Sequence, residues 1–132
     1  MSSQNAVEFH WLSPLGVSVA LFLGYGVLHT LVGVVIPFLS RRTGTAGFTS
    51  QSSLDLMTML WLGFGLFQLG IAWFGLRAGQ LWAFWLLAAS DVAQLVGWIA
   101  YGMQTRDWGA PLFWYDVIFL IPATALGWIG LH

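Results

Sequence analysis

Residues 11–42 read WLSPLGVSVALFLGYGVLHTLVGVVIPFLSRR, and this stretch decides the architecture. From Trp11 to Ser40 there are thirty residues without a charged side chain, interrupted only by His29. A helix needs about 20 apolar residues to cross a hydrocarbon core about 30 Å thick. The run is longer than that, so it tilts or its ends leave the membrane. Arg41 and Arg42 stop it.

Working outward, Thr43 to Ser53 is rich in Ser, Thr and Gly and reads as the one substantial loop. Ser52 or Ser53 is placed to cap a second helix, which continues to Leu76. Arg77, Ala78, Gly79 and Gln80 form a tight turn, which makes the second and third helices antiparallel neighbours. A third span follows from Leu81 to Met103, and a fourth from Leu112 to Leu131. The expected fold is all-α: a polytopic membrane protein, a four-transmembrane-helix antiparallel bundle. Its single domain covers residues 1–132, with helices over 11–40, 54–76, 81–103 and 112–131.

Composition agrees. Charged residues are 7% of the chain, against about 25% in soluble domains. Hydrophobic residues are 58%, with nine Trp and ten Phe, more apolar surface than a small soluble domain can hide. The net charge of −1 gives no basic footprint, so no nucleic acid partner is expected. Without Cys there is no disulfide or thiol chemistry, and without Lys no Schiff base. Met1 to His10 carries Glu8 and no basic residue, and the apolar run behind it outruns a secretory signal, so a retained helix is expected. The chain reads as an integral protein of a bacterial inner membrane or an equivalent cell membrane. Arg41, Arg42 and Arg106 lie on one side and Arg77 on the other, which puts the first side in the cytoplasm and both termini outside.

Leu21 to His29 (LFLGYGVLH) is echoed by Leu60 to Gln68 (LWLGFGLFQ). Small residues chosen twice for close helix contact account for the likeness.

Ionisable groups at bilayer depth cost roughly 2.5–3.5 kcal/mol on insertion scales, so each calls for a partner or a task. Asp91 lies 14 residues after Arg77 and 15 before Arg106, about 21 Å from either along a helix. Gln94, Trp98 and Tyr101 share its face, which must look inward. Asp116 is drawn below the surface because the 15 residues from Val117 to Leu131 make only about 22 Å of helix. Pro122 frees a backbone carbonyl that can accept a hydrogen bond. His29 is 12 residues before Arg41, about 18 Å deep and near the level of Asp91, with Tyr25 one turn earlier. Gln68 is similarly buried. Asp55, in the first turn of the second helix, reads as a cap. His29, Gln68, Asp91, Gln94 and Asp116 are thus candidates to line one polar cavity; the plainer alternative is a set of bonds that glue the bundle, worth about 0.6 kcal/mol each. No pair has the helical spacing of a metal site, His10 and His132 lie at the chain ends, and no cofactor is called for.

Phe67-Gln68-Leu69, Leu76-Arg77-Ala78-Gly79 and Trp82 resemble the second-to-third-helix region of EXPERA-domain membrane proteins, the group of the sterol isomerase and the sigma-2 receptor. Tyr115 with Leu120-Ile121-Pro122 looks like their fourth helix, and Leu23-Gly24-Tyr25 with His29 like their first. The resemblance implies four spans around a sterol-type pocket. The family's acids in its first and second helices are missing, the nearest positions being Pro37 and Phe64. The family also keeps both termini in the cytosol, against the charge count above. Small bacterial DoxX-like four-helix proteins are a second resemblance.

Two classes of function stay open. One is an intramembrane pocket for a lipophilic small molecule, sterol-, isoprenoid- or quinone-like, among membrane lipid. Tyr25, Trp61, Phe64, Gln68, Gln94, Trp98, Tyr101, Tyr115 and Trp128 would bind it, and Asp91, His29 and Asp116 would be the catalytic groups of an acid–base isomerase or cyclase. The other is a proton-coupled carrier working as a homodimer, with Asp91 as its switch, or an accessory subunit of a larger membrane complex.

Overall fold

The computed structural model describes residues 9–43, 51–106 and 111–132, with the side chains of 36–43, 51–57, 101, 105 and 111–113 left undescribed. All regular structure among the described residues is helical. The four long helices are α1 (Pro14–Thr43), α2 (Gln51–Gly70), α3 (Leu81–Thr105) and α4 (Pro111–Leu131). Each is long and apolar enough to cross a membrane.

α1 begins three residues later than its hydrophobicity suggests. Ser13 Oγ accepts a hydrogen bond from Gly16 N at 3.1 Å, and Pro14 occupies the first helical position, where a missing N–H costs nothing. Capping chemistry sets this boundary. Trp11 and Leu12 stay outside the helix, Leu12 at 95% exposure.

α2 runs without a break into a π-helical turn, Ile71–Leu76. Arg77 N donates to Ala72 O at 3.0 Å, five residues back. The widened turn buries Ala72, Gly75 and Leu76, and Gly75 leaves the room in which the Ala83 methyl sits. The connection to α3 is the expected tight turn: Gly79 N donates to Leu76 O at 2.9 Å and Gln80 N to Gly75 O at 3.1 Å. Gly79 takes φ +69, a conformation open to glycine at little cost. Arg77 lies over Trp73, its guanidinium carbon 4.3 Å from the ring centroid, and beside Phe9. α3 reaches two residues beyond the expected Met103, and Arg106 closes it in the left-handed conformation. The acid assigned to a cap, Asp55, lies outside the described side chains, as do Arg41 and Arg42.

α1 is the central element. It packs on α2 and α4, while α3 packs on α4 and on the π-helical turn. Leu15, Ser18, Val19, Phe22 and Tyr25 make its buried stripe, at the three- and four-residue spacing of one helix face. Glycines set the closest approaches. A Cβ at Gly26 would meet Leu69 and Gly65 O, and one at Gly33 would meet the Leu62 backbone. On the other side, Ser18 Oγ donates to Ala123 O at 2.6 Å.

Beside an apolar core, the molecule buries polar groups and turns large apolar ones outward. Ser18, Gln68, Asp91 and Asp116 are buried, whereas Met59, Phe74, Met103, Ile118 and Ile129 are more than half exposed.

Candidate functional site

The stripe on α1 ends in a polar cluster. Tyr25 is fully buried, and its hydroxyl is shared by three neighbours. Asp116 Oδ1 on α4 lies at 2.7 Å, Gln94 Oε1 on α3 at 2.5 Å, and His29 Nε2, one turn along α1, at 3.3 Å. Trp98 Nε1 donates to the other carboxylate oxygen of Asp116. Three helices are therefore joined at one phenol.

Proton counting limits the roles. A phenol has one proton to give and two lone pairs. Its two shorter contacts are to Asp116 and Gln94. In the first arrangement, Tyr25 donates to Asp116 and the Gln94 amide is turned so that its nitrogen donates to the phenol oxygen. In the second, a protonated Asp116 donates to Tyr25, which donates to Gln94. In a third, a protonated Asp116 and the turned Gln94 amide both donate to the phenol oxygen and Tyr25 donates to His29 Nε2. The tautomer of His29 follows from which of these the cluster adopts, and its other ring nitrogen, Nδ1, is buried without a partner. The order His29–Tyr25–Asp116 links an imidazole through a hydroxyl to a carboxylate.

Beside the cluster lies a cavity of about 220 Å³, lined by His29, Asp116, Trp61, Trp98 and Tyr115 together with Leu28 and Val32. Tyr115 stacks on Tyr25 with ring centroids 5.4 Å apart and on His29 at 6.4 Å. Its hydroxyl is also buried without a partner. Phe64 closes on His29 edge-first at 6.0 Å.

Asp91 belongs to a second place. Thr124 Oγ1 donates to its Oδ2 at 2.6 Å, and Gln68 Nε2 approaches Oδ1 at 3.4 Å. Its cavity, about 320 Å³ between α3 and α4, has Asp91 and Thr124 as its polar lining. The expected common cavity is thus two. Thr124 and Asp116 are eight residues apart on α4, about 12 Å at 1.5 Å per residue. Counting residues from the arginines set Asp91 level with His29 because α1, at 30 residues, extends well past the length a bilayer requires. Residue counts from its end therefore do not measure depth on the scale of the shorter helices.

Of the residues read from the sequence, Tyr25, His29, Gln94, Trp98 and Asp116 meet in the cluster, and Trp61, Phe64 and Tyr115 surround it. Gln68 and Asp91 form the second group. Trp128 joins neither; it packs against Phe84, Trp85 and His132 near the end of α4. The Tyr101 side chain lies outside the described residues. Thr124 was not anticipated, though a hydroxyl two residues past the helical Pro122 was the available signal. Among the described residues no group of three His, Asp or Glu side chains could hold a metal ion.

Comparison with protein families, curated proteins and solved structures finds no match for this chain.

Proposed function

We propose that the chain inserts into a cell membrane as an antiparallel four-helix bundle and binds a lipophilic small molecule in the cavity beside His29. Insertion is supported by four apolar helices of spanning length and by large apolar side chains facing outward along them, a surface that would aggregate in water. The antiparallel course is supported by register: as α1 advances from Gly26 to Gly33, its neighbours on α2 fall from Leu69 to Leu62. The single observation that carries the binding reading is an aromatic cavity lined by His29 and Tyr115, residues that each hold a buried polar atom with no partner, Nδ1 and OH. Buried polar groups are nearly always paired, so an unpaired set around a void points to a ligand.

Size limits what enters. At about 220 Å³ the cavity falls below the roughly 300–1,000 Å³ of pockets that enclose a drug-sized molecule. It takes the polar end or one ring of an isoprenoid-, sterol- or quinone-like lipid, while the apolar remainder lies between helices or in the bilayer. Where turnover follows binding, His29 is the group that accepts and returns a proton. Tyr25 and Asp116 hold its ring and offset the charge it gains. Isomerisation suits this set, since it moves a proton within one molecule and needs no second reactant. The EXPERA resemblance implies a pocket of the same kind, with the polar groups on different positions.

Native mass spectrometry of the detergent-purified protein tests the binding reading. Wild type is expected to carry a co-purifying lipid, and Asp116→Asn, which keeps the volume but weakens the anchor of His29, to carry much less. Equal occupancy in both would refute a site at this cluster. A pH-driven flux in liposomes that requires Asp91 and leaves lipid occupancy unchanged would favour a carrier instead.

A further inference from the structure

We infer that the groove between α3 and α4 is a second binding site, one that takes the end of a lipid hydrocarbon chain and recognises no headgroup. This rests on the reading that the helices span a membrane, and is independent of the cavity beside His29.

The groove holds about 320 Å³ between Ala88, Val92 and Leu95 on α3 and Leu120, Ile121 and Ala125 on α4. Alanine on both sides leaves the space open. Its two polar residues are engaged with the protein: Thr124 Oγ1 donates to Asp91 Oδ2 at 2.6 Å, and Gln68 Nε2 lies 3.4 Å from Oδ1. The surface left facing the groove is almost wholly carbon. A bound water needs two to four polar partners, which such a surface does not supply.

Height along the helices decides the occupant. Seven residues of the α3 span precede Ala88 and nine follow Leu95, while six residues of the α4 span lie on either side of Leu120–Ala125. The groove therefore sits about 9 Å or more from every end of the two spans. At that height a bilayer presents chain ends, and headgroups lie beyond reach. An empty groove would forfeit the dispersion contacts of the atoms that line it, and in lipid such packing is what draws surfaces together. A chain end laid between α3 and α4 restores those contacts whatever headgroup it carries.

The test is photolysis of the full-length protein in phosphatidylcholine vesicles containing a phosphatidylcholine with a diazirine either at the end of one acyl chain or next to its ester. Val92 and Ile121 line the groove, whereas Val96 and Ile118 lie outside it at neighbouring heights; all four are more than half exposed. The chain-end diazirine is expected to label Val92 and Ile121 about fivefold more than Val96 and Ile118, the scale of a handful of added dispersion contacts. The ester-side diazirine should leave the groove unlabelled, and a change of host lipid to phosphatidylglycerol should not alter the pattern. Ala88→Leu combined with Ala125→Leu, which fills the groove, should bring its labelling down to the level outside. Equal labelling inside and outside in the wild type, or groove labelling that survives the two leucines, would reduce the groove to ordinary boundary lipid and overturn the proposal. A silent groove beside labelled Val96 and Ile118 would overturn it in favour of a second copy or another protein covering the face. Labelling from the ester side, or a pattern that follows the headgroup, would overturn the chain-end occupant. No labelling at any of the four residues would refute membrane insertion as well.

Discussion

Replacing Tyr25 with Phe destabilises the protein by about 2–3 kcal/mol, the largest effect expected of removing a single oxygen from it. The ring is retained, so its stacking on Tyr115 at 5.4 Å survives and no cavity term arises. What disappears is the common partner of Asp116, Gln94 and His29. Single interhelical hydrogen bonds in membrane bundles average about 0.6 kcal/mol, because the separated helices find other partners. A buried carboxyl stripped of a donor is costlier, and this hydroxyl serves three helices together. Tyr115→Phe is the control, since its hydroxyl has no protein partner and its loss should cost close to nothing. Reversible unfolding in mixed micelles measures both. Equal stabilities for the two variants would mean that the cluster does not hold the helices together.

Gly65→Leu should cost about 3 kcal/mol or more, the upper range of overpacking, and should also empty the cavity. A Cβ at Gly65 would stand 2.5 Å from Thr30 Oγ1, 2.7 Å from Thr30 N and 2.8 Å from Gly26 O. Two of those atoms are backbone, so the strain is relieved only by moving α2 away from α1. Trp61, one turn before Gly65 on α2, would leave its place across from His29. Gly63 is two residues away with nothing within 4 Å of an added Cβ. Gly63→Leu is expected to be neutral in unfolding and in lipid occupancy. Should the two leucines behave alike, the α1–α2 contact is not where the glycines place it.

These variants mark where sequence reasoning reached and where it stopped. Apolar runs bounded by arginine reveal helices long enough for a bilayer without any contact information, because lipid demands length and internally satisfied backbone. The paired LGYG and LGFG segments were legible as close-contact sites, and Gly26 and Gly65 do face each other, while Gly24 and Gly63 meet no neighbour. The start of α1 was hidden because hydrophobicity is blind to the Ser13–Pro14 cap. The π-helical turn was hidden because nothing in IAWFGL differs in kind from an α-helical sequence. The inward face of α3 was readable from the spacing of Asp91, Gln94 and Trp98. Which partner each would meet was not, since that depends on the relative axial position and rotation of separate helices. Hence depth pairs His29 with Asp91, whereas Tyr25, which the sequence does place one turn away on the same face, joins it to Asp116.

Photolabelling bears most directly on the proposed site. A farnesol analogue with a diazirine near its hydroxyl, activated in membranes containing the protein, should label the segments around His29, Trp61, Trp98 and Tyr115, with excess farnesol suppressing the signal. Labelling confined to outward residues such as Phe74, Ile118 and Ile129, or to the groove beside Asp91 and Thr124, and indifferent to added farnesol, would contradict a ligand site at His29.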